Sequence, residues 1–394
     1  MQESTMSRTN QAEAAVNVST EKGIDPVAAI RQLGPGFAAR ARAADDNDAF
    51  VAANFAELKA AGLVSAGVPA DLGGGGAGVA ALCQMVRELA HHCGSTALAF
   101  SMHTHQVAIP AWRWTRQQAA PVAPLLKRVA AENLVLLSSG GSDWIAGSGK
   151  AEKVDGGYRI TARKVFTSAA EAGDILMTGA VWEAAPEGPM VLHFGVPMKS
   201  PHVSIIPTWK TMGMRGTGSN DVVINGHVVP EEGVALKRKQ GEWHPLFHII
   251  SMIAFPLIYS AYLGVAEAAR DRALDLAAKR RQCEQVVALI GRMETELRAA
   301  QFAQAAMVAL AETAQPGPAT TSEIMIGRAL VARHAIAAAE LAMEAAGGGA
   351  FYRDNELERH FRDVQGARYH PMQQGQQALY AGSLALGLDT AKVF

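Results

Sequence analysis

Met212–Pro230 reads MGMRGTGSNDVVINGHVVP. Gly213, Gly216 and Gly218 lack a Cβ and let the chain turn tightly. Arg215, Thr217, Ser219 and Asn220 place hydrogen-bonding side chains among those turns, and the run Val222–Ile224 predicts a strand. In isolation this is a hairpin with solvated polar residues, but it closes a longer β-prone zone. Between Leu134 and Val229 the runs LVLLSS, GYRITARKVFTSA, DILMTGAV, VLHFGVP and VSIIPTW precede it. Gly, Asp, Asn and Pro separate them at spacings typical of an antiparallel barrel or sandwich. Within YRITARKVF, Tyr158, Ile160, Ala162 and Lys164 alternate with Arg159, Thr161, Arg163 and Val165, as a half-buried strand requires.

Helical sequence flanks this zone on both sides. From about Ile24 to Lys127, AANFAELKAA (Ala52–Ala61) puts Phe55 and Leu58 on one stripe, and Gly62 follows where a helix would stop. GVPADLGGGG (Gly67–Gly76) permits no lasting regular element; helices are then predicted over Val79–His92 and from about Ser95. From about His244 onward, long stretches rich in Ala, Leu and Met read as a helical bundle with close packing. Gln315-Pro-Gly-Pro318 marks an interhelical loop, with Thr320 or Thr321 as the expected cap of the next helix. The predicted fold class is α+β, mainly α. Residues 1–20 read as a polar N-terminal arm and 21–130 as an N-terminal helical domain. Residues 131–238 form a middle antiparallel β domain and 239–394 a C-terminal four-helix bundle.

Composition removes several function classes. The 394-residue chain is 49% hydrophobic and 19% charged, which excludes a disordered or coiled-coil protein. A net charge of -1 supplies no global field for nucleic acid or an anionic membrane. Three cysteines cannot build a disulfide framework and suit a reducing cytoplasm, and the N-terminus lacks a signal-peptide core. Leu246–Ala266 is almost wholly apolar, but His248, Ser251 and Pro256 make a core helix the expectation rather than a membrane span. His91, His92 and Cys93 diverge around a helix and no further ligands follow at zinc spacing, so no metal is expected.

Four segments, in order, resemble the acyl-CoA dehydrogenase superfamily of flavoenzymes. LLSSGGSDW (Leu136–Trp144) is similar to the family's Thr-Glu-Pro-Gly-x-Gly-Ser-Asp loop without its Thr-Glu-Pro part. ARKVFTSAA (Ala162–Ala170) is similar to its Gly-x-Lys-x-Trp-Ile-Thr-Asn strand, and Met212–Pro230 is the most specific of the four. AAGGGAFYRDNELERHFRD (Ala345–Asp363) resembles its Gly-Gly-x-Gly-Phe followed by a late Arg-Asp. The resemblance implies a flavin, FAD or FMN, met by Ser138, Ser139, Gly141 and Ser142 and by Phe166, Thr167 and Ser168. It places Phe166 against the isoalloxazine and Ser168 near N5. It directs Gly347 and Gly348 toward the adenine side of a neighbouring subunit, with Arg280 available to a phosphate, and Arg215, Ser219 and Asn220 toward substrate. A subunit-shared flavin site implies a homotetramer.

Departures from the family's pattern single out one branch. Desaturating an acyl-CoA needs a carboxylate base, and the two customary positions fall on Pro371 and Ala254. Beside the first stands His370, in YHPMQQG. A histidine there resembles the two-component monooxygenase branch, whose members take reduced flavin from a separate reductase and use O2 to oxygenate a small organic substrate. An imidazole titrating near neutrality suits such chemistry. His370, Ser168 and His103 are therefore the expected catalytic residues, with His103 preferred to His105 because the two face differently on one helix. The family's Arg-x-x-Phe-Gly flavin grip has no counterpart in KRRQCEQVVALIG, which fits an exchangeable flavin. The alternatives are an acyl-CoA dehydrogenase with a displaced base, Glu267 or Asp275 for instance, and a flavin-free homologue.

Overall fold

The structure is a computed structural model and describes residues 25–139 and 144–391. Gly141 and Ser142, expected at the flavin, and the N-terminal arm lie outside the described residues.

The N-terminal part is helical. Helix α1 (Pro26–Asp46) starts where Asp25 accepts from the backbone N–H of Val27 at 3.0 Å, with Pro26 in the first turn. Helix α2 (Ala52–Ala60) buries Phe55 and Leu58 and stops before Gly62, whose φ of 72° only glycine adopts cheaply. Helices α3 (Val79–His92), α4 (Gly94–Gln117) and α5 (Ala123–Glu132) complete the layer.

Among the described residues eight strands follow: β1 (Leu136–Ser138), β2 (Lys150–Val154), β3 (Gly157–Thr167), β4 (Ile175–Trp182), β5 (Met190–Pro197), β6 (Val203–Ile206), β7 (Asn220–Pro230) and β8 (Val234–Lys239). They run in the order β6-β7-β3-β2-β4-β5-β8, and β1 pairs with β4. The sheet is mainly antiparallel, as expected, with two parallel contacts that make it mixed. β1 runs parallel to β4, and Lys150 of β2 meets Val181 of β4 in parallel, because the β2–β3 hairpin intervenes between β1 and β4. Strand β3 shows the alternation read from its sequence: Tyr158, Ile160, Ala162 and Lys164 are buried, while Arg159, Thr161 and Arg163 are exposed.

The C-terminal part is built on three long helices, α6 (Leu246–Ala277), α7 (Glu284–Thr313) and α8 (Pro318–Ala346), with the short α9 (Leu357–Val364) and α10 (Gln374–Ala385) against them. Apolar α6 packs against α3, α4, α7 and α8, and 94% of its most hydrophobic window is buried inside the fold. Each Leu, Ile or Phe buried there contributes about 1.5–3 kcal/mol of transfer energy. Ser260 Oγ and Gln304 Nε2 both donate to the Pro256 carbonyl, at 2.8 and 2.7 Å, and fasten α6 to α7. Neither threonine caps α8. The helix begins earlier than expected, with Gly317 at the cap and Pro318 in the first turn, and Thr320 Oγ1 donates back to the Gln315 carbonyl.

Candidate functional site

The end of β3 and the start of β7 meet where Thr167 pairs with Asn220, past a bulge after Lys164. The bulge throws Phe166 into left-handed backbone at φ 56°, a strained conformation for an aromatic residue. Strand alternation predicts that Phe166 and Ser168 share a side; the bulge overturns that. Phe166 is 55% exposed with Trp209 edge-on at 6.1 Å, whereas Ser168 is 7% exposed. A strained, exposed aromatic ring is an incomplete packing arrangement, and a flat ligand laid on it would complete it.

Behind Phe166 runs a chain of hydroxyls. Ser168 Oγ lies 2.8 Å from Ser219 Oγ, which lies 2.7 Å from Thr217 Oγ1. Asn220 is spent at both ends of its amide: Oδ1 accepts from the Trp209 backbone N–H, and Nδ2 donates to Glu171. Arg215 donates to the Thr211 carbonyl at 2.9 Å and lies 3.7 Å from Asp48 and 3.9 Å from Asp45. The residues expected to meet substrate therefore fasten their own loop. That loop is anchored from below by the late Arg-Asp pair. Asp363 accepts from the Met214 N–H at 2.5 Å, and Arg362 donates to the Met212 carbonyl and to both oxygens of Asp45. A Cβ at Gly213 would overlap the Arg362 carbonyl, which explains the glycine.

Ser138 ends β1, and Ser139 Oγ lies 3.0 Å from Thr178 Oγ1 of β4. His103 holds this strand in place. Its Nδ1 accepts from the Leu136 N–H at 3.0 Å, so Nε2 carries the proton and donates to the Val64 carbonyl at 2.8 Å. Burial pushes its pKa down to about 4, and the ring is 2% exposed. Both nitrogens of His103, one of the residues expected to be catalytic, are bound to the backbone in this structure. His105, two residues along the same helix, is the histidine whose charge acts on His370.

His370 sits over two tyrosines of α6. Its Nε2 lies 2.6 Å from Tyr262 Oη, and the ring stands edge-on to Tyr262 at 5.5 Å and to Tyr259 at 6.2 Å. Burial, reinforced by the charges of Arg328 and His105, holds the His370 pKa down at about 3. Burial also raises Tyr262 well above the usual tyrosine value, with Tyr259 and Asp363 adding to the effect. Both groups are neutral near pH 7, and the phenol is the better donor. Tyr262 O–H to Nε2 then leaves the imidazole proton on Nδ1, which has no hydrogen-bond partner among the described residues. Phe255 joins Tyr259 to Trp144 at the end of the Ser-Gly loop, with centroids 6.4 and 5.9 Å apart. Phe255, Tyr259 and Tyr262 carry a sequence signal that the motif reading passed over, since their i, i+4, i+7 spacing puts them on one helix face.

No carboxylate occupies the two customary places: Ala254 is buried on α6, and Pro371 follows His370. Burial alone would raise Glu267, but hydrogen bonds from His91, Arg87 and Gln301 outweigh it and hold the carboxyl at about 2. The Asp275 side chain is 75% exposed. At the far end, Gly347 turns at φ 75° beside Arg280, whose guanidinium donates to the Ala345 carbonyl at 2.5 Å; Gly348 has open space around it.

A family model described as "Acyl-CoA dehydrogenase, N-terminal domain" matches residues 31–126, and "Acyl-CoA dehydrogenase, C-terminal domain" matches residues 257–374. The chain is 29% identical over 364 residues to the putative acyl-CoA dehydrogenase YdbM of Bacillus subtilis, covering 87% of this chain and 91% of the relative. It is 27% identical to a pigment production hydroxylase of a Rhodococcus species, covering 85% and 89%. Among solved structures, KijD3 in complex with FMN and a dTDP-linked amino keto sugar superposes with a TM-score of 0.85 at 22% identity, over 93% of this chain and 94% of that one.

Proposed function

We propose that this chain, which belongs to the acyl-CoA dehydrogenase family, is the oxygenase of a two-component flavin-dependent monooxygenase acting on a small organic substrate. One observation carries the reading. Where desaturation needs an ionised carboxylate, this chain has Ala254 and Pro371, and beside the latter a neutral imidazole hydrogen-bonded to Tyr262. The hydroxylase relative and the FMN-bound structural neighbour support it.

The residues present fit a flavin, FAD or FMN. Phe166 offers a bare aromatic face, Ser168 a hydroxyl at the end of a hydrogen-bonded chain, and Ser138 and Ser139 hydroxyls on β1. Arg280 with Gly347 and Gly348 would meet the phosphate and adenosine end, where open backbone permits close approach. Reduced flavin supplies the two electrons with which O2 is activated. The chain's part is to hold the ring on Phe166, to keep a hydrogen bond at Ser168, and to present His370 Nδ1–H to an oxygen atom. The polar loop 212–218 is locked by Arg362 and Asp363, which keeps that geometry fixed.

The reading extends to a separate reductase as partner, a cytoplasmic location and a homotetramer. Exposed Val287 and Phe302 on α7, with Phe351 and Tyr352 beyond the glycine turn, are apolar surface that association would cover. An anaerobic titration of the flavin-loaded protein with acyl-CoAs of several chain lengths tests the function. No bleaching of oxidised flavin is expected; bleaching would make the protein a dehydrogenase.

A further inference from the structure

The geometry points to Arg328 as a positioning residue that sets the His370 loop for oxygen transfer, by holding the backbone carbonyls of Ala367, His370 and Met372 together with the hydroxyl of Tyr259 in one buried guanidinium fork. The inference rests on the proposed monooxygenase reading and extends it to a residue outside the set named for flavin and substrate. Arg328 lies on α8 and is 2% exposed, yet among the described residues it forms no ion pair with a carboxylate. Nε donates to Tyr259 Oη at 2.7 Å, and Nη2 donates to the same oxygen. Nη2 also reaches the carbonyls of Ala367 at 3.2 Å and His370 at 3.3 Å, while Nη1 takes that of Met372. Tyr259 in turn donates to the Ala367 carbonyl at 2.8 Å. The segment from Ala367 to Met372 is thus held by Tyr259, Tyr262 and Arg328, and of these Arg328 gathers three of its carbonyls and carries a positive charge.

Burying an uncompensated cation is costly, and an apolar side chain would fill the same space more cheaply. Five donors in a rigid plane explain its use here, because they fix several carbonyls at once. The charge has a second consequence. The groups facing His370 are Tyr259 and Tyr262 from α6, His105 from α4 and Arg328 from α8, while Arg368 and Tyr369 precede it on its own loop and Asp363 acts on Tyr262. Of these, Arg328 and Arg368 are permanent cations, and it is the charge of Arg328 that, with that of His105, disfavours a protonated His370.

Arg328→Lys and Arg328→Gln separate anchoring from charge. Three measurements decide: product formed per reduced FMN oxidised, melting temperature, and the titration of the His370 ring by NMR in 15N-histidine-labelled protein, assigned with His370→Gln. Arg328→Lys keeps the charge but loses the fork; His370 stays neutral down to pH 5, and coupling falls about tenfold or more. Arg328→Gln also loses the charge, and the His370 titration moves up by at least one pH unit. A drop in melting temperature with coupling and titration unchanged in Arg328→Lys and Arg328→Gln overturns the inference. Should Arg328→Gln not fold, undiminished coupling in Arg328→Lys overturns it alone. Failure of the wild type to form product would instead count against the monooxygenase reading, since the NMR shift does not depend on turnover.

Discussion

Tyr262 Oη and His370 Nε2 lie 2.6 Å apart, so the imidazole beside the vacant base position is fixed by a phenol rather than by a carboxylate. A carboxylate partner would favour the imidazolium; a buried phenol favours the neutral ring and decides which nitrogen bears the hydrogen. The pair therefore suits donating or sharing a hydrogen bond with a polar oxygen better than removing a proton from carbon.

Removing the imidazole separates binding from chemistry. His370→Ala is expected to bind reduced flavin within about twofold of the wild type, while product per flavin oxidised falls by roughly 10²-fold, the range of general acid–base contributions. Equal coupling in the two proteins would remove His370 from the mechanism.

Phe166 trades stability for a binding surface. Phe166→Gly replaces an exposed aromatic at φ 56° by the residue that accepts that backbone freely. Its melting temperature is expected to equal or exceed the wild type's, and its affinity for reduced FMN to fall about fivefold, consistent with a lost ring–ring contact of roughly 1 kcal/mol. Unchanged flavin affinity would place the flavin elsewhere.

His103 is a stability residue. His103→Ala strands the Leu136 N–H and the Val64 carbonyl in the core, at a cost of roughly 1–3 kcal/mol for each unsatisfied group. Urea denaturation should show that loss, with coupling per folded molecule preserved. Undiminished stability with lost coupling would return His103 to the chemistry.

Acid should weaken the fold between pH 6.5 and about 3. His103 and His105 are held down at about 4, and His360 and His370 at about 3, so on acidification the unfolded chain binds protons that the native state refuses. Asp363, raised by burial to about 6, works the other way, because below that value the native state takes a proton that the unfolded chain does not. The histidines prevail. Each net proton costs about 1.4 kcal/mol per pH unit, so stability near pH 5 should fall by several kcal/mol per unit. Melting curves at pH 7, 6 and 5 check this, and a flat profile would contradict the buried, neutral assignment.

Much of the fold was legible because its signals are local. Gly62, the Val79–His92 helix and the alternation in β3 each declare themselves within a dozen residues. The mixed pairing of β1 with β4 was not, since parallel neighbours are set by connections across other strands. At the site, the vacancy at Pro371 and the histidine beside it could be counted from the chain. The split between Phe166 and Ser168 could not, because one bulged, left-handed residue undoes strand periodicity. The backbone contacts of His103 were hidden for a similar reason. An apolar helix with two histidines reveals neither which one meets a neighbouring strand nor which one approaches the loop of His370. Arg328 gives no local sign at all, since its partners are the Tyr259 hydroxyl on another helix and carbonyls roughly forty positions further along the chain.

The most direct test of oxygen transfer is stopped-flow mixing of the protein, loaded anaerobically with reduced FMN, against oxygenated buffer. Reoxidation should proceed in two phases through a transient spectrum unlike either free flavin form, and His370→Ala should release more hydrogen peroxide per turnover. Reoxidation in one phase by the wild type, together with anaerobic reduction of its oxidised flavin by an acyl-CoA, would contradict the account.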